Sequence, residues 1–319
     1  MTIGIDIGGT NIKGVLINGN LSAGKAGKKV IAKIKILTRS KTNQKIIFGQ
    51  IFKCIEKLIQ KSKNVGRPTS YIQGIGIGVA GPVDFENQKA LNPPNVTGLK
   101  NLELGKIIEK KFKIKTIIDN DVHCLAFAEA LLGAGKNKKM VVGLGIGTGV
   151  GGGIVIDKKI IYGKSGTAGE MGHMMIVYPE RSRGEKARKC NCGSRGCLEA
   201  YINEKGIQKT AKEIFGREIN TIKLYEMTKK RDKKAIKVWE ITGRHLGLGL
   251  ANIVDTLNPD IIVVGGGIAG AGELLLNPAR KEMRKNILSP EAKNTPVVRA
   301  KLGEYAGAIG AGLLLNKRA

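Results

Sequence analysis

Ile5-Asp6-Ile7-Gly8-Gly9-Thr10, closing with Gly14-Val15-Leu16-Ile17, is met again as Leu144-Gly145-Ile146-Gly147-Thr148-Gly149, closing with Gly153-Ile154-Val155-Ile156. The two copies share one internal spacing. Each reads as a strand, a glycine turn and a second strand, the first copy starting with the alternation Ile3-Gly4-Ile5-Asp6-Ile7. In the second copy, Met140 to Ile156 is apolar but holds seven glycines, and it is shorter than the ~20 residues that cross a bilayer. Two strands joined by a turn fit it better than a membrane span. Such a turn can press its backbone N–H groups against phosphate, which makes Gly8, Gly9 and Thr10, and again Gly147, Thr148 and Gly149, candidate phosphate-binding residues. A repeat of this kind implies two related α/β halves with a cleft between them.

Working outward, Asn18-Gly19-Asn20 signals a hairpin into a third strand within Lys29 to Ile36. From Gln44 to Lys61 the apolar residues Ile47, Ile51, Ile55, Leu58 and Ile59 keep helical spacing. A buried strand, Ile72 to Val79, runs into Ala80-Gly81-Pro82-Val83-Asp84; the loop Asn92-Pro93-Pro94-Asn95 and a helix near Leu102 to Lys111 follow. Strand Thr116 to Ile118 then delivers Asp119-Asn120-Asp121 just ahead of a helix from Val122 to Leu132. Ligand chemistry in α/β folds sits at this end of the strands. A carboxylate there is either a helix N-cap or a general base, and the residues alone leave both open.

Gly147-x-Gly149-x-x-Gly152 matches the dinucleotide fingerprint only in letters, because it leads to another strand. Gly265-x-Gly267-x-x-Gly270 joins strand Ile261 to Val264 to a helix from Gly272 and suits the adenosine side of a nucleotide. Lys234 to Leu257 is the longest helical run, stopped by Asn258-Pro259. The apolar tail Tyr305 to Leu315 reads as a closing helix of small residues that packs on the N-terminal half. The halves are expected to divide near Ile118. This gives an N-terminal α/β domain at 1–118, onto which a helix at about 303–319 packs back, and a C-terminal α/β domain at 119–302.

The second half carries Gly169-Glu170-Met171-Gly172-His173 and then Cys190-Asn191-Cys192-Gly193-Ser194-Arg195-Gly196-Cys197-Leu198-Glu199. Three thiolates within eight residues can converge on one soft cation, and tetrahedral Zn²⁺ needs one more N or S ligand, for which His173 is the nearest candidate. Reduced, partly buried thiols are the alternative, but they leave Gly193 and Gly196 unexplained. A redox pair is disfavoured because C-x-x-C is absent. Glu170 and Glu199 bracket the cysteine run, so metal closure would bring them together beside the imidazole. That set suits a polyhydroxylated ligand; ordinary surface acids are the alternative.

The chain has 319 residues, 42% of them hydrophobic, ample for about two domains. The N-terminus lacks the pattern of an export signal, and the clustered cysteines fit a reducing cytoplasm. A net charge of +28 would normally point to nucleic acid. Here the lysines are scattered, as in Lys106 to Lys115 and Lys229 to Lys237, and 4% aromatic residues leave few stacking platforms. Solvated basic faces are the expectation, with no specific nucleic-acid partner and no membrane.

Taken together, Asp6-x-Gly8-Gly9-Thr10, Gly147-Thr148-Gly149 with Gly151-Gly152-Gly153, Glu170-x-Gly172-His173, Cys190-x-Cys192-Gly193-x-x-Gly196-Cys197-x-Glu199 and Gly265-Gly266-Gly267 resemble the ROK family of repressors, open reading frames and sugar kinases. The resemblance covers essentially the whole chain. It implies the actin-like ATPase, ribonuclease-H-like fold, with Asp121 as general base and Asn95, Asn120, Glu170, His173 and Glu199 holding the sugar together with Asp121. It implies ATP held by Gly8, Gly9, Thr10, Lys13, Gly147, Thr148, Gly149, Gly265 and Gly266, Mg²⁺ near Asp6, and Zn²⁺ on His173, Cys190, Cys192 and Cys197. Repressors of the family carry a DNA-binding module before the first strand, whereas here that strand starts at Ile3. The expectation is a cytoplasmic, homo-oligomeric (dimeric or tetrameric), glucokinase-like enzyme of glycolysis and carbohydrate metabolism that converts glucose to glucose 6-phosphate. N-acetylmannosamine, N-acetylglucosamine and fructose kinases are the alternatives within the class, and a sugar-sensing nucleic-acid-binding regulator is the alternative outside it. The basic insertion Pro179 to Lys189 departs from the family pattern and bears on the choice of substrate.

Overall fold

The computed structural model describes residues 1–18, 29–178 and 187–315. The turn expected at Gly19-Asn20 and most of the basic insertion lie outside the described residues. The chain forms two compact units. One comprises Met1–Gly133, Lys158–Ala168 and the chain from Leu302 onward; the other comprises Ala134–Asp157 and Gly169–Lys301.

The first unit is built on a five-stranded sheet in the order β3-β2-β1-β4-β7. Its strands are β1 (Thr2–Ile7), β2 (Asn11–Asn18), β3 (Lys29–Leu37), β4 (Gly74–Val79) and β7 (Thr116–Asn120). Strands β1, β2 and β3 are antiparallel, while β4 and β7 join β1 in parallel. Short strands β5 (Val83–Asp84) and β6 (Lys89–Ala90) pair with each other, and β10 (Lys159–Ile160) lies in the 158–168 segment. Helix α1 (Gln44–Asn64) starts where the Asn43 side chain accepts the N–H of Ile46 and buries Ile47, Ile51, Ile55 and Leu58. Helix α2 is Leu104–Phe112 and α3 is Asp121–Leu132.

The closing helix α9 (Ala306–Leu314) is buried along its whole length, which its run of small residues permits. A Cβ on Gly4 would collide with the Ala308 carbonyl, one on Gly76 with that of Ala311, and one on Gly310 with that of Cys124 in α3. Glycine on β1, β4 and α9 thus brings backbone against backbone. This packing explains where the units divide: α3, clamped to α9, stays with the first unit, and the break falls after Gly133 where the sequence places it near Ile118. Buried Glu129 reinforces the arrangement by accepting the N–H of Leu302 at 2.7 Å.

The second unit repeats the pattern, as the repeated motif predicts. Strand β8 (Met140–Ile146) pairs antiparallel with β9 (Val150–Ile156), and β11 (Ile261–Gly265) lies parallel between β8 and β12 (Val297–Arg299). Helices α4 (Glu199–Ile202), α5 (Glu204–Phe215) and α6 (Thr221–Lys229) lead into α7 (Lys233–Leu257). Asp232 caps α7, and Asn258 ends it in the left-handed conformation just before Pro259. Helix α8 (Glu273–Asn286) packs on α7 where Gly243 and Gly247 admit Pro278 and Ala279. The sheets and helices are those of the actin-like ATPase fold.

Candidate active site

In the first unit the glycine turn sits between β1 and β2. The Gly8 N–H donates to the Asn11 carbonyl at 3.1 Å, and Thr38 fixes both ends: its hydroxyl donates to the Gly8 carbonyl at 2.6 Å and its N–H to that of Thr10 at 2.9 Å. A Cβ on Gly9 would stand 2.8 Å from the Asn95 Cβ, so the structure brings the predicted phosphate turn and the predicted sugar ligand Asn95 together. Asp6, at the end of β1, lies 4.0 Å from the Lys13 ammonium. Burial, and then the nearby Asp121 charge, push its carboxyl up to about 7 despite Lys13. Two carboxylates in mutual repulsion with one lysine beside them fit a divalent cation at Asp6.

The corner after β7 separates the roles the sequence left open. Asn120 is the helix cap. Its Oδ1 accepts the N–H groups of Val122 (2.8 Å) and His123 (3.1 Å), and its amide donates to the Gly81 carbonyl at 3.1 Å. Asp121 is therefore the first helical residue, with Oδ1 at 3.0 Å from the Val122 N–H. Gly78 of β4 makes room for it, because a Cβ there would stand 3.3 Å from the Asp121 Cα. With capping done by its neighbour and the positive end of α3 behind it, Asp121 has the placing of a general base. Asn120, expected to hold sugar, has both ends of its side chain engaged by the backbone.

In the second unit the turn Gly147-Thr148-Gly149 is closed by the Gly147 N–H donating to the Gly149 carbonyl at 2.9 Å. Asn203, which also caps α5, donates to the Thr148 carbonyl at 3.1 Å. Buried Glu199 accepts the Val150 N–H at 2.8 Å through Oε2, while its Oε1 lies 3.7 Å from the Cys190 Sγ. It thus links the glycine turn to the cysteine cluster. At the end of β11, Gly266 adopts φ +87°, and a Cβ there would meet the backbone of Ile146; no other residue fits both constraints.

His173, Cys190, Cys192 and Cys197 place one ligand atom each within 4.8 Å of one another. Cys192 and Cys197 Sγ are 3.8 Å apart, and Cys190 Sγ is 3.7 Å from His173 Nδ1. These match the edges of a tetrahedron of ~2.3 Å Zn–S bonds, roughly 3.8 Å. Without a cation the sulfurs differ: the Ser194 backbone N–H lowers the pKa of Cys192, whereas burial foremost pushes the Cys190 thiol up to about 12, and burial and Cys192 raise that of Cys197. A metal ion relieves both. The other imidazole nitrogen, Nε2, lies 3.9 Å from Glu170 Oε2, so His173 connects the cluster to the predicted sugar carboxylate. Gly193 (φ +96°) and Gly196 (φ +79°) wrap the loop, as their places in the motif predict.

The sequence pattern of the ROK family matches residues 2–318. The chain belongs to the ROK family. It is 31% identical to a glucokinase of Halalkalibacterium halodurans, over 99% of this chain and 95% of that protein. It is also 31% identical to an N-acetyl-D-glucosamine kinase of Photobacterium profundum over the full length of both. Xylose repressors are related as well, that of Bacillus spizizenii at 31% over 74% of this chain and 59% of the repressor. Among solved structures, a ROK family glucokinase of Streptomyces griseus in complex with glucose and AMPPNP superposes with a TM-score of 0.81. That pair shares 29% identity over 98% of each chain.

Sequence reading missed three buried polar residues beside predicted site residues: Asp119 and His123 in the first unit and Arg188 in the second. Arg188 donates to the Gly206 carbonyl (3.0 Å), the Thr210 hydroxyl (3.0 Å) and Glu213 (2.8 Å), anchoring the approach to Cys190. A charged residue closing an apolar strand was the one available signal for Asp119; Arg188 lay hidden in a generally basic stretch.

Proposed function

We propose that this chain is an ATP-dependent sugar kinase that transfers the γ-phosphate to a hexose hydroxyl, with the 6-hydroxyl of glucose as the acceptor. The observation that carries this is the corner after β7, where Asn120 caps the helix and leaves Asp121 as a carboxylate at the head of α3. The kinship with kinases of glucose and N-acetylglucosamine, and the likeness to a glucokinase that binds glucose and AMPPNP, support the substrate class.

Phosphoryl transfer needs in-line positioning and charge neutralisation more than covalent help. Asp121 accepts the proton of the attacking hydroxyl. The turns at Gly8–Thr10 and Gly147–Gly149 offer backbone N–H groups to phosphate oxygens, Lys13 adds a positive charge, and the Gly265–Gly266 turn takes the adenosine side. Mg²⁺, held by Asp6, supplies charge neutralisation when bound. Asn95, Glu170, His173 and Glu199 orient sugar hydroxyls, while Asn120, its side chain held by the backbone, fixes the corner that presents Asp121. His173, Cys190, Cys192 and Cys197 would hold Zn²⁺ through four N/S ligands, and such a metal would shape the sugar ligands without taking part in the chemistry. Among the described residues no helix is long and apolar enough to cross a membrane.

Sugar-dependent ADP formation tests this reading. The net charge and the xylose repressor kinship favour a second one, a sugar-responsive regulator. Such a protein would prefer particular DNA sequences at physiological salt and form no sugar phosphate.

A further inference from the structure

Two residues beyond Asp121, the buried ring of His123 meets an acceptor at each nitrogen. Nδ1 lies 3.0 Å from Asp119 Oδ1, and Nε2 lies 3.1 Å from the Ala168 carbonyl oxygen. A neutral imidazole has one N–H and can serve one of them; the imidazolium serves both. Asp119, wholly buried, also accepts the Asn120 N–H at 2.7 Å and the Tyr162 hydroxyl at 2.5 Å. The Tyr162 ring stands edge-on to His123, with centroids 5.6 Å apart, and packs on Phe85 at 4.6 Å. The charged groups that act on the imidazole are both acids, Asp119 from the end of β7 and Asp121 from the first turn of α3; Tyr162 is the titratable neighbour from the 158–168 segment. Burial on its own would lower the ring's pKa. The Asp119 hydrogen bond and charge, the Ala168 carbonyl and Asp121 outweigh it, and the pKa is raised.

We propose that His123 is an imidazolium clamp and a positioning residue for Asp121: it ties the Asp119–Asp121 corner to the 162–168 segment and keeps a positive charge two residues from the base. This rests on the kinase reading above. When the ring gives up a proton to solvent, one of its two acceptors loses its donor and the clamp opens on that side. Because the folded-state pKa is raised, the clamp is complete below the ordinary histidine value of about 6.5 and is lost as pH rises through the raised one. Turnover and stability both fall on the alkaline side.

The test joins two measurements on the intact protein. Nitrogen-15 NMR of the three histidines, assigned with His123→Asn, reads the protonation of the ring directly. At pH 6, below the ordinary histidine value of about 6.5, both His123 nitrogens carry protons. In steady-state kinetics from pH 6 to 9.5, His123→Asn lowers kcat by roughly ten- to a hundredfold, leaves KM for the sugar within about threefold, and lacks the alkaline fall of the wild type. Tyr162→Phe removes a donor from Asp119, makes that carboxylate a stronger partner for the ring, and moves the alkaline fall to higher pH, which a merely structural role would not do. If His123→Asn does not fold, the wild-type spectrum and Tyr162→Phe decide. A neutral single-tautomer ring at pH 6, or a folded His123→Asn protein with wild-type kcat and alkaline limb, overturns the clamp. Absence of turnover on every sugar overturns the kinase reading and the positioning role with it; the spectrum then separates that failure from failure of the clamp.

Discussion

Replacing Asp121 with Asn removes a proton acceptor and a negative charge while keeping the size of the side chain. The helix keeps its cap, because the bonds that stop the first turn from fraying belong to Asn120, at 2.8 and 3.1 Å from Val122 N and His123 N. The contact of Asp121 Oδ1 with the Val122 N–H at 3.0 Å survives in the amide. The fold loses the attraction of a negative charge for the N-terminus of α3, about 0.3–1 kcal/mol, and the support that charge gives the His123 imidazolium. Relief of the repulsion with Asp6 acts in the opposite sense. The net change in stability is within about 1 kcal/mol. Loss of a general base costs on the order of 10² to 10⁴ in rate, or roughly 2.7 to 5.5 kcal/mol of barrier. A coupled ADP assay should therefore find kcat collapsed, KM for the sugar altered far less, and a melting temperature within a few degrees of the parent. The contrast is Asn120→Ala, which takes away the cap and costs about 0.5–2 kcal/mol of stability. An Asp121→Asn protein with kcat within fivefold of the parent would refute the assignment of the base.

Elemental analysis should give about one zinc per chain, and Cys192→Ala should lose both the metal and several degrees of melting temperature, since metal binding and folding are coupled. Full activity from a metal-free, folded protein would remove zinc from the account. Because the Asp6 carboxyl stands at about 7 without a cation, Mg²⁺ must displace a proton there below that pH. Its apparent affinity should fall about tenfold per pH unit as pH drops under 7, and a pH-independent Mg²⁺ affinity between pH 5.5 and 8 would contradict the site. Gly76→Ala sets a Cβ against the Ala311 carbonyl; with backbone on both sides, the cost should reach about 1–3 kcal/mol or more, read as a lowered denaturant midpoint. An unchanged midpoint would mean that α9 does not pack there.

Much of this architecture was legible because both sheets start from one repeated phrase, and a strand–glycine–strand pattern has few other solutions. The clustering of His173, Cys190, Cys192 and Cys197 was legible for a similar reason: cysteines at that density with glycines between them have little else to do. The place where the units divide was not. Nothing in Thr116 to Leu132 marks a break, and the membership of α3 is decided by the fit of Cys124 against Gly310, nearly two hundred residues away. Which of the two caps the helix was equally closed to the sequence, since Asn120 and Asp121 rank together as caps and only the hydrogen bonds give that part to Asn120. His123 could not be found either. Its significance depends on Asp119, Tyr162 and Ala168, and the last two come from a segment some forty residues on.

The most direct test of the central claim is ADP formation by the purified protein with ATP and Mg²⁺, measured across a panel of glucose, fructose, mannose, N-acetylglucosamine and N-acetylmannosamine, with the phosphorylated product identified by mass and NMR. The account predicts sugar-dependent turnover, with glucose giving the highest kcat/KM and glucose 6-phosphate as its product. A folded, zinc-replete protein that consumes ATP no faster with any of these sugars than without them would contradict it.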